Sequence, residues 1–423
     1  MTNATGIAPR ALTDPPTFSA AAGLGVEPVS LEPYRSTEFF ELERQRVFLR
    51  AWLLVGRGDV VPKVGDFVVK RYEIANASVI IARGKDGVVR AFYNACPHRG
   101  NEVLAEPAGN SPVFMCRYHN WTFSNDGKLR GVPDEGLFLG LHKSKCGLKP
   151  IALDIWDGWI FINFAPEPEV SLKEYLGEFG IFLQGLENIN SDVPVVIETH
   201  LKCNWKVVSD AFLEAYHIQA IHSNTLKSMY SKSDNQFGRL LDARFFGPHA
   251  CNSMYGNPQH VPGEKQVLER IAYDPSAMAS EQIAAMQRFW QHPAVNPTRS
   301  ATWSMDAVYL FPNTQIDLGP TGYWIHQFWP ISVNEARHEV RFYLRKPATF
   351  RERFAQEFFI AHATDVIFED LSNVERTQRG IDSRGTDTMQ LSETEILIRV
   401  SLNNINKWVR SETVAQAMTG TPS

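Results

Sequence analysis

The chain has 423 residues, 44% hydrophobic and 21% charged, with a formal net charge of −5. That balance describes an ordinary globular protein of two or three domains and gives no electrostatic reason to bind nucleic acid or an anionic membrane. Five cysteines (Cys96, Cys116, Cys146, Cys203, Cys251) are too few and too scattered for a disulfide framework, and no apolar run reaches bilayer-spanning length.

In chain order, residues 1 to about 35 are rich in Pro, Ala, Ser and Thr and read as a loosely ordered arm. They contain no apolar h-region, so a cytoplasmic location is expected. TEFFELERQRVFLRAW (37–52) predicts a helix with Thr37 as N-cap. Short strand-like pieces follow, DFVVKRY, ASVIIAR, GVVRAFY, PVFMC and WTF, with GKDG and SNDG as turns between them. LKPIALDIWDGWIFINFA continues this style. The expected division is an arm and helix at 1–48, a small β domain at 49–165 and a larger α+β domain at 166–423. In the last, Ser171 and Glu174 form a capping-box pattern, and NWKVVSDAFLEAYHIQAIH (204–222) is helical in texture. Residues 301–347 read as antiparallel strands. Residues 349–380 predict a helix opened by a Thr-x-x-Glu box and closed by Gly380 at C′, and a last helix is expected over about 391–411.

Two mixed pairs stand out in the small domain: Cys96-Pro97-His98 and Cys116-Arg117-Tyr118-His119, with seventeen residues between His98 and Cys116. Structural zinc sites usually group like ligands, Cys-x-x-Cys followed by His-x-x-x-His. One Cys and one His from each of two loops is what a Rieske [2Fe–2S] centre needs, with two thiolates on one iron and two imidazoles on the other. Such a centre relays electrons, so a terminus must exist elsewhere.

Residues 204–222 supply the candidate: Asp210, Glu214, His217 and His222. Two histidines and a carboxylate with open positions form the facial triad of non-haem Fe(II) oxygenases. His217 and His222 lie about 140° apart on an ideal helix, so one metal can take both only if the helix ends, unwinds or bulges near His217. Glu214 and His217, three apart, can face each other.

These motifs resemble the α (large) subunit of Rieske non-haem iron ring-hydroxylating oxygenases. The pattern extends to Pro97-His98-Arg99-Gly100, His119-Asn120-Trp121-Thr122-Phe123 and Asn204-Trp205-Lys206. The segment Glu369-Asp370-Leu371-Ser372-Asn373-Val374-Glu375-Arg376-Thr377-Gln378-Arg379-Gly380 is similar to the family's Asp-x4-Glu-x2-Gln-x-Gly stretch, whose aspartate binds iron. The resemblance makes Asp370 the third ligand, with Asp365 and Glu369 as rivals. It implies an all-β Rieske domain joined to a helix-grip (START-like) catalytic domain, with Cys96, His98, Cys116 and His119 on the cluster and His217, His222 and Asp370 on Fe(II). It further implies a homotrimer, α3 or α3β3 with a small β subunit. Electrons would come from NAD(P)H through a partner reductase, with or without a ferredoxin. They would then pass from His119 of one subunit through Glu214 of the next to His217, with Asp210 supporting that link. The implied reaction is O2-dependent hydroxylation, by default cis-dihydroxylation of an aromatic compound, carboxylated or not. Monooxygenation, demethylation or oxidation of a quaternary amine is the alternative, because Glu214 stands where many ring dioxygenases have Asp. Ala211 likewise replaces an Asn found near the iron in some dioxygenases.

Readings of a different class are an electron-transfer protein using the Rieske centre alone and a zinc-stapled binding protein. Cys146, Cys203 and Cys251 are expected as buried thiols. Core or surface roles are expected for His142, His249, His260, His292, His326 and His338. Phe212, Leu213, Ile218 and Ile221 are candidates for either pocket or core.

Overall fold

The structure, a computed structural model, describes residues 17–186, 194–273, 280–320, 322–344 and 346–419. The chain separates into two compact units, one of residues 42–175 with 412–415 and one of 1–41 with 176–411 and 416–423.

The smaller unit is all-β. One antiparallel sheet runs in the order Leu53–Arg57, Trp159–Asn163, Pro150–Trp156, Val89–Tyr93, Ala77–Arg83, Asp66–Tyr72, Ala108–Asn110. A three-stranded sheet is made of Val113–Met115, Thr122–Ser124 and Leu129–Gly131. Their shared core includes Phe67, Ile80, Phe92, Phe114 and Phe123. Phe67 and Phe114 meet edge to face at 5.7 Å across the two sheets, a preferred aromatic geometry. The SNDG turn closes as expected, with Gly127 N–H donating to the Ser124 carbonyl at 2.8 Å.

The larger unit is built on seven antiparallel strands: β1 (Val195–Leu201), β2 (Asp242–Phe246), β3 (His249–Tyr255), β4 (Trp303–Leu310), β5 (Thr314–Gly319), β6 (Gly322–Ser332) and β7 (Glu335–Phe342). Their order across the sheet is β1-β7-β6-β5-β4-β3-β2. Every residue of β3 and β5 is buried, so the Gln315-Ile316-Asp317-Leu318 alternation along β5 does not mark a solvent face as it would in a half-exposed strand. Pro330, which cannot donate to a ladder, sits where the β6–β7 register shifts. The site helices are α1 (Trp205–Phe212), α2 (Ile218–Ile221) and the 33-residue α3 (Phe350–Asp382). The first packs against β6, β7 and α3. No helix of the described residues is long and apolar enough to cross a membrane.

Four local expectations change. The helix expected over 37–52 is α-helical only for Thr37–Glu43 and continues as a π-turn over Arg44–Phe48. Its cap is Ser36, whose Oγ accepts the Phe39 N–H at 3.1 Å, so Thr37 is already inside. Gly380 does not end its helix. That helix runs on to Asp382, because nothing at 380 demands the left-handed backbone of a C′ glycine. The lead-in is ordered from Phe18, while residues 1–16 lie outside the described residues. Ser19 donates to Glu393, Val29–Ser30 pairs with Thr388–Met389, and Tyr34 is buried. The Ser171–Glu174 box forms as expected, with Glu174 N–H on Ser171 Oγ at 3.2 Å and Ser171 N–H on Glu174 Oε2 at 2.8 Å.

Candidate functional site

In the smaller unit the two Cys/His pairs sit on loops of the same design. Cys96 N–H donates to the Asn101 carbonyl at 2.8 Å, and Gly100 N–H returns to the Cys96 carbonyl at 2.8 Å. Cys116 N–H donates to the Trp121 carbonyl at 2.9 Å, and Asn120 N–H returns to the Cys116 carbonyl at 2.8 Å. Each return needs a left-handed residue, supplied by Gly100 (φ 78°) and Asn120 (φ 56°). The paired loops bury both cysteines to 2% exposure and leave both imidazoles partly exposed. The His98 and His119 rings lie 4.5 Å apart, and Trp121 stacks on His98 at 4.9 Å. Burial, with Cys116 beside it, pushes the Cys96 thiol up to about 11. A buried sulfur raised in this way, as at Cys96, is a poor thiolate unless a cation neutralises it, which suits metal ligation. Asn101 Nδ2 donates to Cys116 Sγ at 3.7 Å.

In the larger unit, Asn204 caps α1 by accepting the Lys206 N–H at 3.0 Å. The α1 helix stops at Phe212, and α2 begins at Ile218. This is the break that the five-residue spacing of the histidines requires. Across it, Glu214 accepts the backbone N–H groups of Tyr216 and His217, and its Oε1 lies 2.5 Å from His217 Nδ1. The expected Glu214–His217 contact is therefore made, though by a turn and not along a helix face.

Asp370 comes from the middle of α3. Glu375 Oε1 accepts the Lys202 N–H at 3.0 Å, and Gln378 Oε1 accepts the Asn204 N–H at 2.9 Å. These contacts dock the helix at the start of α1 and explain the Glu and Gln in the recognised segment. His217, His222 and Asp370 then offer ligand atoms that all lie within 4.8 Å of one another. His217 Nε2 is 3.2 Å from His222 Nε2, and Asp370 Oδ1 is 3.3 and 2.9 Å from those nitrogens. Asp370 Oδ1 is nevertheless buried with no hydrogen bond. Its two rivals do not join the group. Asp365 is exposed, and Glu369 Oε2 lies 2.7 Å from His222 Nδ1 while accepting the Thr225 hydroxyl at 2.6 Å. Each imidazole thus has a carboxylate at Nδ1, which fixes the tautomer that aims Nε2 at the centre. Burial opposes a charge on His217, but Asp370 and Glu214 outweigh it and raise the imidazole to about 10. Burial likewise opposes ionisation of Asp370, and the two imidazoles beside it hold its carboxyl below the usual range. Two imidazole nitrogens and a carboxylate oxygen converging on one point fit a mononuclear iron.

A cavity of about 450 Å³ opens beside these residues. Phe212 and Ile218 line it, whereas Leu213 is buried outside it and Ile221 does not reach it. His260, His326 and His362 also line it, and His326 is at the same time buried against Phe212, Phe328 and His338, the core role expected of it. His249 and His338 are buried, as are Cys203 and Cys251; Cys146 is only partly so. Asp210 accepts the Tyr34 hydroxyl at 2.5 Å, and burial pushes its carboxyl up to about 7. The Glu369–His222 contact is not legible in the sequence, where Glu369 reads only as a rival ligand beside Asp370. Nor are Gln315 and Asp317 on the cavity wall, which no local motif marks.

Residues 187–411 match the family model for the ring-hydroxylating alpha subunit catalytic domain, and residues 51–140 match the Rieske [2Fe–2S] domain. The chain belongs to the ring-hydroxylating oxygenase alpha-subunit family, and its two domains are those that hold a Rieske cluster and a mononuclear iron. It is 36% identical over 202 residues to the large oxygenase component of the naphthalene 1,2-dioxygenase system of Pseudomonas aeruginosa, covering 45% of this chain and 43% of that one. It is 32% identical over 191 residues to the carnitine monooxygenase oxygenase subunit of Acinetobacter pittii, covering 45% and 51%. The match spans about half the length of these curated relatives. The fold is also that of a quaternary ammonium Rieske monooxygenase (TM-score 0.73, 21% identity, 94% of this chain and 100% of that one). It is shared by naphthalene 1,2-dioxygenase from Rhodococcus sp. bound to indole (TM-score 0.72, 22% identity, 91% and 95%).

Proposed function

We propose that this chain is the terminal oxygenase component of a Rieske system that hydroxylates a small aromatic substrate with O2. The observation that carries this reading is the convergence of His217, His222 and Asp370 beside a cavity, in a chain that also carries the paired Cys96/His98 and Cys116/His119 loops. Iron held by the first three would supply O2 activation, and a cluster held by the other four would supply single electrons.

The protein's own residues do the rest. Glu214 and Glu369 hold the imidazoles in the tautomer that presents Nε2. The largely apolar cavity wall gives an aromatic ring a surface to pack against. Asp210, bonded to Tyr34, is one turn from Glu214 and holds a proton near neutral pH, so it can support proton movement along that edge. Electrons would come from NAD(P)H through a separate reductase, with or without a ferredoxin, in the cytoplasm. The assembly would be a trimer, α3 or α3β3, in which His119 of one subunit reaches Glu214 of the next.

Cis-dihydroxylation is the first reading. Monooxygenation is the second, favoured by Glu214 at the bridging place and by the likeness to carnitine monooxygenase subunits.

The test is iron and acid-labile sulfide analysis with EPR after dithionite reduction, followed by a single turnover of the reduced protein with labelled O2 and an aromatic substrate. About three irons and two sulfides per chain, a Rieske-type signal and label in the product are expected. Zinc without sulfide, or a reduced cluster that never transfers label, would overturn the reading.

A further inference from the structure

The cavity beside the metal ligands is long in one direction. On α3 it is lined by Phe359, His362, Ala363, Val366, Ile367 and Asp370. Their spacing of three and four residues puts them on one face of the helix, apolar except for His362 and Asp370. From Asp370 to Phe359 that face runs about three turns, or about 16 Å along the helix axis. Among the described residues, none of α3 beyond Asp370 lines the cavity.

Ring contacts with the facing wall fix which end is which. On β6 His326 lies against Phe212, with 4.6 Å between centroids, and Phe212 closes α1 just before the Glu214 turn. Two residues earlier on the same strand, Trp324 meets Phe359 edge to face at 5.5 Å. Trp324 and Phe359 therefore mark the end of the cavity away from His217, His222 and Asp370.

This far end is aromatic and incompletely covered. Trp324 and Phe359 are only partly buried, whereas their neighbours Tyr323, Ile325 and Phe342 are fully so. Both partly covered rings line the cavity, so their open surface is available to an occupant. Tyr273 follows the helix Val267–Ala272, lines the same cavity and packs on Phe358 at 5.8 Å. The Trp324 ring is held from two sides. Its Nε1 donates to His326 Nε2 at 3.1 Å, and it lies over Gly319, where a Cβ would come within 3.1 Å of the indole. A ring fixed before binding loses little freedom when a ligand packs on it.

Among the described residues that line the cavity there is no lysine or arginine. A carboxylate carried to the far end would leave water with no cation to meet it. An arene gains there from apolar burial and from ring contacts. A molecule short enough to sit wholly beside the metal ligands would leave Trp324 and Phe359 uncovered.

We propose that Trp324 and Phe359, with Tyr273 beside them, form an aromatic subsite for the far end of the substrate, and that the substrate is an elongated polycyclic aromatic molecule, longer than naphthalene and without a carboxylate at that end. This rests on the reading that the cavity beside His217, His222 and Asp370 receives the substrate. Trp324 and Phe359 are then specificity-determining residues: the ring they hold sets which carbons at the other end lie beside the metal ligands.

The experiment is equilibrium dialysis of radiolabelled naphthalene, anthracene and anthracene-2-carboxylate against the iron-loaded protein under anaerobic conditions. Anthracene is the more apolar arene and would bind more tightly to any oily surface, so the decisive quantity is the change each substitution makes. Phe359→Leu and Trp324→Leu are each expected to weaken anthracene binding about fivefold, the order of one lost ring contact. Naphthalene binding should move by less than about twofold, because the shorter molecule does not reach both metal ligands and far rings. Gly319→Ala, which displaces the indole without removing it, should act in the same direction as Trp324→Leu. Anthracene-2-carboxylate is expected to bind more weakly than anthracene. Should Trp324→Leu fail to fold, Phe359→Leu and Gly319→Ala decide. Equal losses for the two arenes, no loss in any variant, or tightest binding of the carboxylate would overturn the proposal. Binding is read without turnover. A length-dependent loss in a protein that transfers no labelled oxygen would leave the subsite standing and remove the oxygenase reading. Label transfer to naphthalene without a length-dependent loss would do the reverse.

Discussion

His217 and His222 face each other through their Nε2 atoms at 3.2 Å, and each is backed at Nδ1 by a different glutamate, Glu214 at 2.5 Å and Glu369 at 2.7 Å. The two glutamates sit in different settings. Glu214 lies in the turn between α1 and α2 and also accepts backbone N–H groups, whereas Glu369 comes from α3 and shares its Oε2 with the Thr225 hydroxyl. They should therefore fail differently when replaced.

Glu369→Ala leaves His222 Nδ1 without its acceptor and frees the ring to rotate. Removing such a supporting contact typically weakens metal binding by about 10- to 100-fold. Iron should be lost to a chelator at correspondingly lower concentration, with the visible spectrum of the cluster unchanged. Iron retention equal to the unmodified protein would show that His222 is held by its burial alone.

Glu214→Gln preserves shape and a carbonyl oxygen that can still accept, so iron should stay bound. What it removes is the negative charge proposed to link the two metal centres. Re-oxidation of the reduced cluster in the presence of substrate and O2, followed by stopped-flow absorbance, should slow by at least about tenfold, an activation difference of some 1.4 kcal/mol. An unchanged rate would mean that the carboxylate only orients His217.

Legibility in the sequence followed the range of the interactions. The Cys96/His98 and Cys116/His119 loops close on themselves within six residues, so the local pattern was enough to carry the loop design. The five-residue gap between His217 and His222 is incompatible with one helix face, and the break at 213–217 answers it. Gly380 misled because glycine permits a helix end without enforcing one, and α3 has two further residues to pack. The choice between Asp370 and Glu369 depended on where α3 docks, set by Glu375 on Lys202 and Gln378 on Asn204, more than 170 residues away in the chain. Gln315 and Asp317 became visible only once β5 and β6 were paired.

Asp210 gives a pH signature. Its carboxyl is pushed up to about 7, chiefly by burial, against an unfolded value of about 3.9. The folded state therefore holds a proton that the unfolded chain releases, and this group's contribution is fully present at low pH and lost as pH rises toward 7. Asp210→Asn does not titrate and keeps an oxygen for the Tyr34 hydroxyl. The stability of the unmodified protein relative to this variant should fall between pH 5 and pH 7, by at most about 1.4 kcal/mol per unit, and level off above. Paired denaturation series at matched metal loading measure it. A difference independent of pH would place the Asp210 carboxyl in its ordinary range.

Asn101→Ala probes the electron-relaying end. Asn101 Nδ2 donates to Cys116 Sγ at 3.7 Å, and its carbonyl oxygen on the backbone accepts the Cys96 N–H, so the backbone contact survives the substitution while the side-chain contact is lost. A donor on a cluster ligand stabilises the reduced, more negative state, so its loss should lower the potential. One hydrogen bond of about 1 kcal/mol corresponds to roughly 40 mV for a one-electron couple. Redox titration by EPR should show a fall of that order with the signal shape retained. The direction is the discriminating feature: an unchanged or raised potential would mean that Asn101 only shapes the loop, and that the partly exposed His98 and His119 edge, where solvent reaches the imidazoles, sets the potential instead.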